Sequence, residues 1–112
     1  MSRAALDRLL REAERDMAAV AGDTAVCVFT KAGRAVPGLK YHEGRRAALG
    51  DVARRSRRTE REPVDVATEL LPTWESDLRR LTEKAAGPAW IAYTQGGIDA
   101  LTALAGEAGP AD

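Results

Sequence analysis

The most constraining pattern in this chain is a separation of apolar and basic side chains between Gly44 and Arg58. When residues are placed at steps of about 100°, as in an α-helix, one sector collects small and apolar residues. These are Ala48, Leu49, Val52, Ala53 and Ser56. The opposite sector collects the arginines Arg46, Arg54, Arg57, Arg58 and Arg61. The segment therefore predicts a helix with its apolar side on a core and its arginines outside.

Four further segments predict helices. The first follows Ser2, which can cap it, and ends at Gly22–Asp23. Pro63–Leu71 begins with a proline suited to the first helical position, Thr73 suits the cap of the next helix, and the last helix follows Gly97. Apolar residues recur at helical spacing in three of these segments: Leu6, Leu10, Ala13, Met17 and Val20, then Trp74, Leu78, Leu81 and Ala85, then Ile98, Leu101 and Leu104.

Three other runs predict strands. Thr24–Thr30 is apolar and rich in β-branched residues, which predicts a buried strand, and Lys31–Arg34 supplies a turn after it. The return over Ala35–Tyr41 predicts a second strand, restricted by Pro37–Gly38 to a sheet edge or a bulge. Ala89–Thr94 predicts the other strong strand.

These elements predict an α/β (α+β) fold. A small sheet of two or three strands would pack against about five helices arranged in a single layer. One globular domain would span residues 1–105, and residues 106–112 would form a flexible C-terminal tail. Helices on one side would leave the other face and the edges of the sheet bare, so we expect self-association into a homo-oligomer.

The charge balance limits the classes of function. The chain has 112 residues, with 17 lysines and arginines against 17 acidic residues. A neutral chain does not act through its overall field, as a general coat for nucleic acid would. All basic residues except Lys31, Lys40 and Lys84 are arginine, and alanine is abundant, which we interpret as the codon usage of a GC-rich bacterial genome.

Cys27 is the only cysteine, so no internal disulfide forms and a reducing cytoplasm is the expected location. The charged N-terminal segment lacks the apolar region of a signal peptide, and no apolar run is long enough for a membrane span. One cysteine and one histidine, His42, are too few for a structural zinc site. We therefore expect no metal, no cofactor and no membrane contact.

Two residues, His42 and Cys27, are candidates for catalysis. His42 precedes Glu43 and could act as a general base, but no activated nucleophile lies near it in the sequence. An exposed cap before the helix from Gly44 is the favoured interpretation. Cys27, in the middle of an apolar strand, is interpreted as a small buried hydrophobe of low reactivity. The sequence thus favours a protein that is not an enzyme, while an enzymatic role stays open.

A glycine pair suggests a ligand loop. Gln95, Gly96 and Gly97 would connect a strand to a helix, where backbone N–H groups can bind an anion. The alternative, favoured because no complete phosphate-binding motif is present, is that the glycines only make the turn. Asp99 in the first turn of that helix would compete with a bound anion.

The arginines allow three interpretations. They form a solvated side paired with acids that follow, or bind an acidic protein partner, or bind nucleic acid. The acids that could pair with them are Glu60, Glu62, Asp65, Glu69, Glu75 and Asp77. No aromatic residue interleaves the arginines, so stacking of single-stranded bases lacks its platform. Of the two tryptophans, Trp90 is predicted in the core, and Trp74 is the candidate for an interface, with the core as its alternative.

One resemblance concerns the first half of the chain. A helix, a hairpin over Val26–Ala35 and a helix from Gly44 are similar in order to the elements of roadblock-type dimerisation modules. The similarity covers less than half of the chain, because strands follow in such modules where Pro63–Ala86 predicts helix. Element order alone carries no residue role and no function.

The sequence predicts a small non-catalytic interaction or regulatory module. It would self-associate and dock an anionic or acidic partner through Arg46, Arg54, Arg57, Arg58 and Arg61. The alternative is a nucleic-acid-binding protein that uses the same residues. A third hypothesis is a small enzyme or a phosphate-ligand-binding subunit that uses Gln95–Gly97 with His42.

Overall fold

The computed structural model describes residues 2–20 and 26–107. This part of the chain forms four helices and one hairpin: α1 (Arg3–Val20), β1 (Cys27–Phe29), β2 (Ala35–Pro37), α2 (Gly38–Thr59), α3 (Pro63–Glu83) and α4 (Pro88–Gly106). The predicted α/β (α+β) fold with about five helices around a sheet is therefore wrong. The protein is mostly helical, and its sheet consists of two antiparallel three-residue strands.

Helix α4 lies at the centre of the fold because its sequence is apolar on all sides. Asp99 is its only charged residue. It packs against α2 and α3, and α1 packs mainly against α2. The main core is built from residues of all four helices: Ala5, Leu6, Ala48, Leu49, Val52, Val64, Val66, Ala67, Leu70, Ala100, Leu101 and Leu104. The apolar sector predicted between Gly44 and Arg58 supplies the contribution of α2 to this core.

The strand predicted over Ala89–Thr94 is wrong, because these residues form the first turns of α4. A short apolar run does not distinguish a buried strand from a buried helix, and paired glycines after such a run are also typical of a turn. Gly96 instead lies where α4 crosses α2. A Cβ atom on Gly96 would overlap the carbonyl oxygen of Tyr41, and one on Gly44 would overlap that of Tyr93. The two backbones meet directly because both helices carry glycine at the crossing.

Helix α3 is continuous where two helices were predicted. It starts at Pro63, in the first helical position as predicted, and runs through Pro72 without ending there. Pro72 is exposed, so the carbonyl group that loses its helical partner can face water. Trp74, two residues later, still packs against the main core. The predicted cap at Thr73 is therefore an interior position of α3.

The hairpin is shorter and more exposed than predicted. Strand β1 pairs Val28 with Val36 of β2, and the turn between them closes with Gly33 at a φ of 86°. Cys27 and Phe29 are exposed, so the predicted buried strand and the buried Cys27 are wrong. Helix α2 starts at Gly38, six residues before its predicted start, and takes over the second half of the predicted return strand.

Some predictions fall on parts of the chain outside the described residues. These are the helix stop at Gly22–Asp23, the start of the predicted strand at Thr24, and most of the predicted C-terminal tail. Gly106, the first residue of that tail, is the last residue of α4, and Glu107 follows it. Within residues 2–20 and 26–107, no helix is long and apolar enough to cross a membrane.

Candidate functional site

The arginine surface, defined as Arg46, Arg54, Arg57, Arg58 and Arg61, is exposed at all five positions. Three of the five guanidinium groups have carboxylate partners. Arg46 lies 3.4 Å from Glu14 of α1, and Arg54 lies 3.6 Å from Asp51 one turn earlier in α2. Arg61, which follows α2, donates from one nitrogen to both carboxylate oxygens of Glu69, at 3.1 and 3.0 Å. The acids predicted as partners thus contribute one ion pair to this surface, through Glu69.

Arg57 and Arg58 differ from the other three. They occupy the last turn of α2, and no carboxylate of the described residues lies within ion-pair distance of either guanidinium. A basic side chain is favoured here because the carbonyl end of a helix carries partial negative charge. Arg54 precedes them by three and four residues, so the three side chains share one side of α2. Arg57 and Arg58 are thus the two members of the arginine surface without a carboxylate partner among residues 2–20 and 26–107.

A groove of about 600 Å³ separates α1 from α2 beside this surface. Two basic residues, Arg46 and Arg54, and two acidic residues, Glu14 and Glu43, line the groove. The remaining lining residues are Leu10, Met17, Ala47, Gly50 and Tyr93. Because both signs of charge face the groove, it does not concentrate anions as a purely basic cleft would. Arg57 and Arg58 do not line this groove.

His42 is buried in the second turn of α2, so the predicted exposed cap is wrong. Its Nδ1 lies 2.8 Å from Nη1 of Arg45, and the same Nη1 donates to Asp16 of α1 at 2.8 Å. Burial and the adjacent positive charge of Arg45 lower the pKa of His42. Burial alone would raise the pKa of Asp16, but the hydrogen bond and charge of Arg45 outweigh it and lower that pKa. Asp16, Arg45 and His42 together join α1 to α2.

Asp99 is buried in the middle of α4 and not in the first turn of a helix. Its Oδ2 accepts hydrogen bonds from the Tyr41 hydroxyl at 2.5 Å and from the backbone N–H of Lys31 at 3.0 Å, and its Oδ1 accepts one from Gln95 at 3.1 Å. Burial, followed by the hydrogen bond and charge of Asp99, raises the pKa of Tyr41. Since Lys31 lies in the hairpin turn, Asp99 fastens the hairpin to α4.

The structure places Gln95, Gly96 and Gly97 inside α4, where the turn predicted for them is wrong. No helix begins at these residues, so their backbone N–H groups form no exposed anion-binding end. Gly97 instead makes room for an aromatic ring: a Cβ atom on it would overlap the six-membered ring of Trp74. The glycine pair therefore serves helix packing, Gly96 towards α2 and Gly97 towards α3.

Trp74, Trp90 and Tyr93 form a cluster, called here the aromatic surface, which the sequence analysis missed as a group. The rings of Trp74 and Tyr93 stack with centroids 6.1 Å apart at 20°, and Trp90 meets Tyr93 edge-on at 6.4 Å and 69°. Trp90 is 64% exposed, so its predicted place in the core is wrong. The three-residue spacing of Trp90 and Tyr93 is a helical signal that the strand prediction concealed.

Comparison with protein-family models, with curated proteins and with solved structures found no match to this chain. Two exposed surfaces of the protein are the candidates for binding. The arginine surface was predicted from the sequence and is exposed. The aromatic surface emerges only from the packing of α3 against α4.

Proposed function

We propose that this protein is a non-catalytic interaction module that docks an acidic segment of a partner protein on its arginine surface. The observation that carries the proposal is the pair Arg57 and Arg58, exposed in the last turn of α2 without a carboxylate partner among the described residues. Guanidinium groups bind carboxylates through two parallel hydrogen bonds, which favours glutamate or aspartate side chains as ligands.

Arg54 extends this binding site by one turn. Its ion pair with Asp51 is 3.6 Å long and the Arg54 side chain is mostly exposed, so the pair is weak. Exposed pairs of this kind contribute about 0–1 kcal/mol, and a partner carboxylate can replace Asp51 at little cost. Three guanidinium groups on one turn of helix match two or three acidic side chains of a partner.

An acidic protein segment fits this surface better than nucleic acid does. A phosphate backbone requires basic groups along a continuous track, whereas Glu14, Asp51 and Glu69 interrupt this surface. No aromatic side chain lies between the arginines to stack on a base. Nucleic-acid binding is therefore the alternative that the experiment has to separate.

Three other expectations bear on the proposal. His42 lies within hydrogen-bond distance of Arg45, and Asp99 accepts hydrogen bonds from Tyr41, Lys31 and Gln95. Both side chains thus have partners within the protein, which supports a role without catalysis. We also propose that the protein acts in the cytoplasm, because its single cysteine, Cys27, forms no internal disulfide. Self-association is not included, because a hairpin of two short strands replaces the bare sheet from which it was predicted.

The test compares two triple variants of equal net charge. In the first, Arg54, Arg57 and Arg58 become Glu; in the control, the exposed Arg3, Arg11 and Arg79 become Glu. We expect a labelled ten-residue peptide of alternating Glu and Gly to bind the wild type at low salt. The first variant should weaken this binding at least about tenfold, because it removes the guanidinium groups that contact the peptide. The control should weaken it less than about threefold, because it changes only the net charge of the protein.

The same titration with generic duplex DNA and single-stranded RNA decides the alternative. If either nucleic acid binds, loses affinity steeply with salt and fails to bind the Arg54, Arg57 and Arg58 variant, nucleic-acid binding replaces the proposal. Equal losses in the two triple variants, or no binding of the acidic peptide to the wild type, would contradict docking at this site.

A further inference from the structure

A second surface lies where α3 packs against the start of α4, and it contains neither Arg57 nor Arg58, the pair that carries the proposed function. Trp90 stands between two grooves and lines both of them with Tyr93. One groove, of about 360 Å³, is completed by Trp74 and Leu81, and the other, of about 390 Å³, by Ala89 and the stem of Lys40. We propose that this aromatic surface binds a proline-rich segment of a partner protein in an extended conformation.

The shape of the surface is the first argument. An exposed tryptophan between two shallow grooves forms a ridge over which an extended chain can place residues on both sides. A polyproline II helix has three residues per turn, so its successive rings can enter grooves on either side of such a ridge. Trp90 is 64% exposed and is thus available to such a ligand.

The hydrogen-bonding groups are the second argument. The indole N–H groups of Trp74 and Trp90 and the hydroxyl of Tyr93 make no hydrogen bond within residues 2–20 and 26–107, whereas the hydroxyl of Thr94 donates to the Trp90 carbonyl. The surface therefore offers mainly donors. A proline-rich segment offers mainly acceptors, because proline has no backbone N–H and the polyproline II helix leaves its carbonyl groups unbonded.

The charges near the grooves are the third argument. Arg80 is paired with Asp77 at 3.0 Å, and Lys40 is paired with Glu43 at 3.0 Å. Each cation beside the grooves thus has an acidic partner, so the charges here are balanced and the surface carries no excess of either sign. A neutral, apolar segment is the ligand whose transfer from water to this surface costs the least free energy.

A second copy of the same surface is a poorer occupant. In a two-fold contact the same patch supplies both sides, so its indole N–H donors would have to use the acceptors of the patch itself. Those are the hydroxyl of Tyr93 and the carboxylate of Asp77, which is already paired with Arg80. The donor excess thus favours a partner of different chemistry.

The probe is a fluorescein-labelled ten-residue polyproline peptide, titrated with the full-length protein and followed by anisotropy. Trp90→Ala is the test variant, because the exposed Trp90 side chain contributes little to the core. Phe29→Ala removes another exposed aromatic ring, 72% exposed, on the hairpin, and is the matched control. A ten-residue Gly-Ser peptide controls for binding of any unfolded chain.

We expect saturable binding of polyproline at micromolar protein, nearly independent of salt, and no binding of the Gly-Ser peptide. Trp90→Ala should weaken binding at least about tenfold, as for a tryptophan at the centre of an interface, and Phe29→Ala should not. A variant in which only Arg57 and Arg58 become Glu should bind polyproline as the wild type does, because neither residue lines a groove beside Tyr93. This variant separates the result from the fate of the proposed function.

The inference is overturned if polyproline does not bind, or if Trp90→Ala binds it as the wild type does. It is also overturned if the Gly-Ser peptide binds equally well. Sedimentation velocity decides one specific alternative: a wild-type dimer that Trp90→Ala dissociates, without polyproline binding, would assign the aromatic surface to a second copy of the chain.

Discussion

Glycines decide the packing of this protein at the scale of single residues. Gly44 and Gly96 allow α2 and α4 to touch backbone to backbone, and Gly97 leaves space for the ring of Trp74. Gly50, on the same helix as Gly44, has only the flexible end of Arg54 near its missing Cβ atom, at 3.5 Å. The same residue type is thus required at one position of α2 and dispensable six residues later.

This contrast predicts opposite effects of one substitution. Gly44→Ala should lower the free energy of unfolding by about 1–3 kcal/mol, since the new methyl group forces the backbones of α2 and α4 apart. Gly50→Ala should raise it by about 0.5–1 kcal/mol, because alanine loses less conformational entropy in a helix. Urea denaturation of the two variants measures both changes. Destabilisation by Gly50→Ala equal to that of Gly44→Ala would contradict the close crossing.

At the scale of elements, the N-terminus of α3 is stabilised by a residue distant in sequence. The hydroxyl of Ser2 accepts a hydrogen bond from the backbone N–H of Val64 at 3.1 Å, and Val64 is the second residue of α3. Both the N–H and the hydroxyl of Ser2 donate to Glu62, the residue before the helix, at 3.0 and 3.1 Å. Ser2 was predicted to cap its own helix, whereas its side chain supplies the capping bond to α3.

Ser2→Ala should therefore lower the free energy of unfolding by about 1 kcal/mol, as the loss of a capping side chain does. Ser76→Ala is the matched control, because Ser76 is exposed in the same helix α3, and its change should stay within about 0.5 kcal/mol. Hydrogen exchange adds a local readout, since the amide of Val64 should exchange faster in Ser2→Ala. Unchanged exchange at Val64 would mean that the hydroxyl does not hold the end of α3.

At the scale of the whole molecule, polar links join elements that are distant in sequence. Arg45 connects α2 to α1 through Asp16, and Asp99 connects α4 to the hairpin through Lys31. His42, beside Arg45, is buried and has a lowered pKa because of burial and the charge of Arg45. The neutral form of His42 is thus the form that fits the folded protein.

Stability should therefore depend on pH through His42, the single histidine of the chain. The pKa of His42 is lower in the folded state than its ordinary value of 6.5, so the unfolded state binds more protons as the pH falls below that value. The contribution of His42 to the free energy of unfolding is complete above pH 6.5, and it is lost as the pH falls towards the pKa of His42 in the folded state.

The measurement is the free energy of unfolding of the wild type and of His42→Gln between about pH 7.5 and about pH 5.5. The wild type should lose stability over this range, and the variant, which cannot be protonated at this position, should lose less. The same slope in both proteins would show that His42 is not the group responsible.

The sequence alone determined the amphipathic part of α2, the start of α3 at Pro63 and the exposure of the arginine surface, because helical periodicity and proline geometry are local properties. It determined the second half of α4, which was predicted to follow Gly97, but not the first half, since an apolar run followed by Gly96–Gly97 is equally typical of a strand and a turn. Tertiary structure decided that these glycines meet α2 and Trp74. The aromatic surface also required tertiary structure, because contact between Trp74 and Tyr93 depends on the packing of two helices and not on sequence spacing.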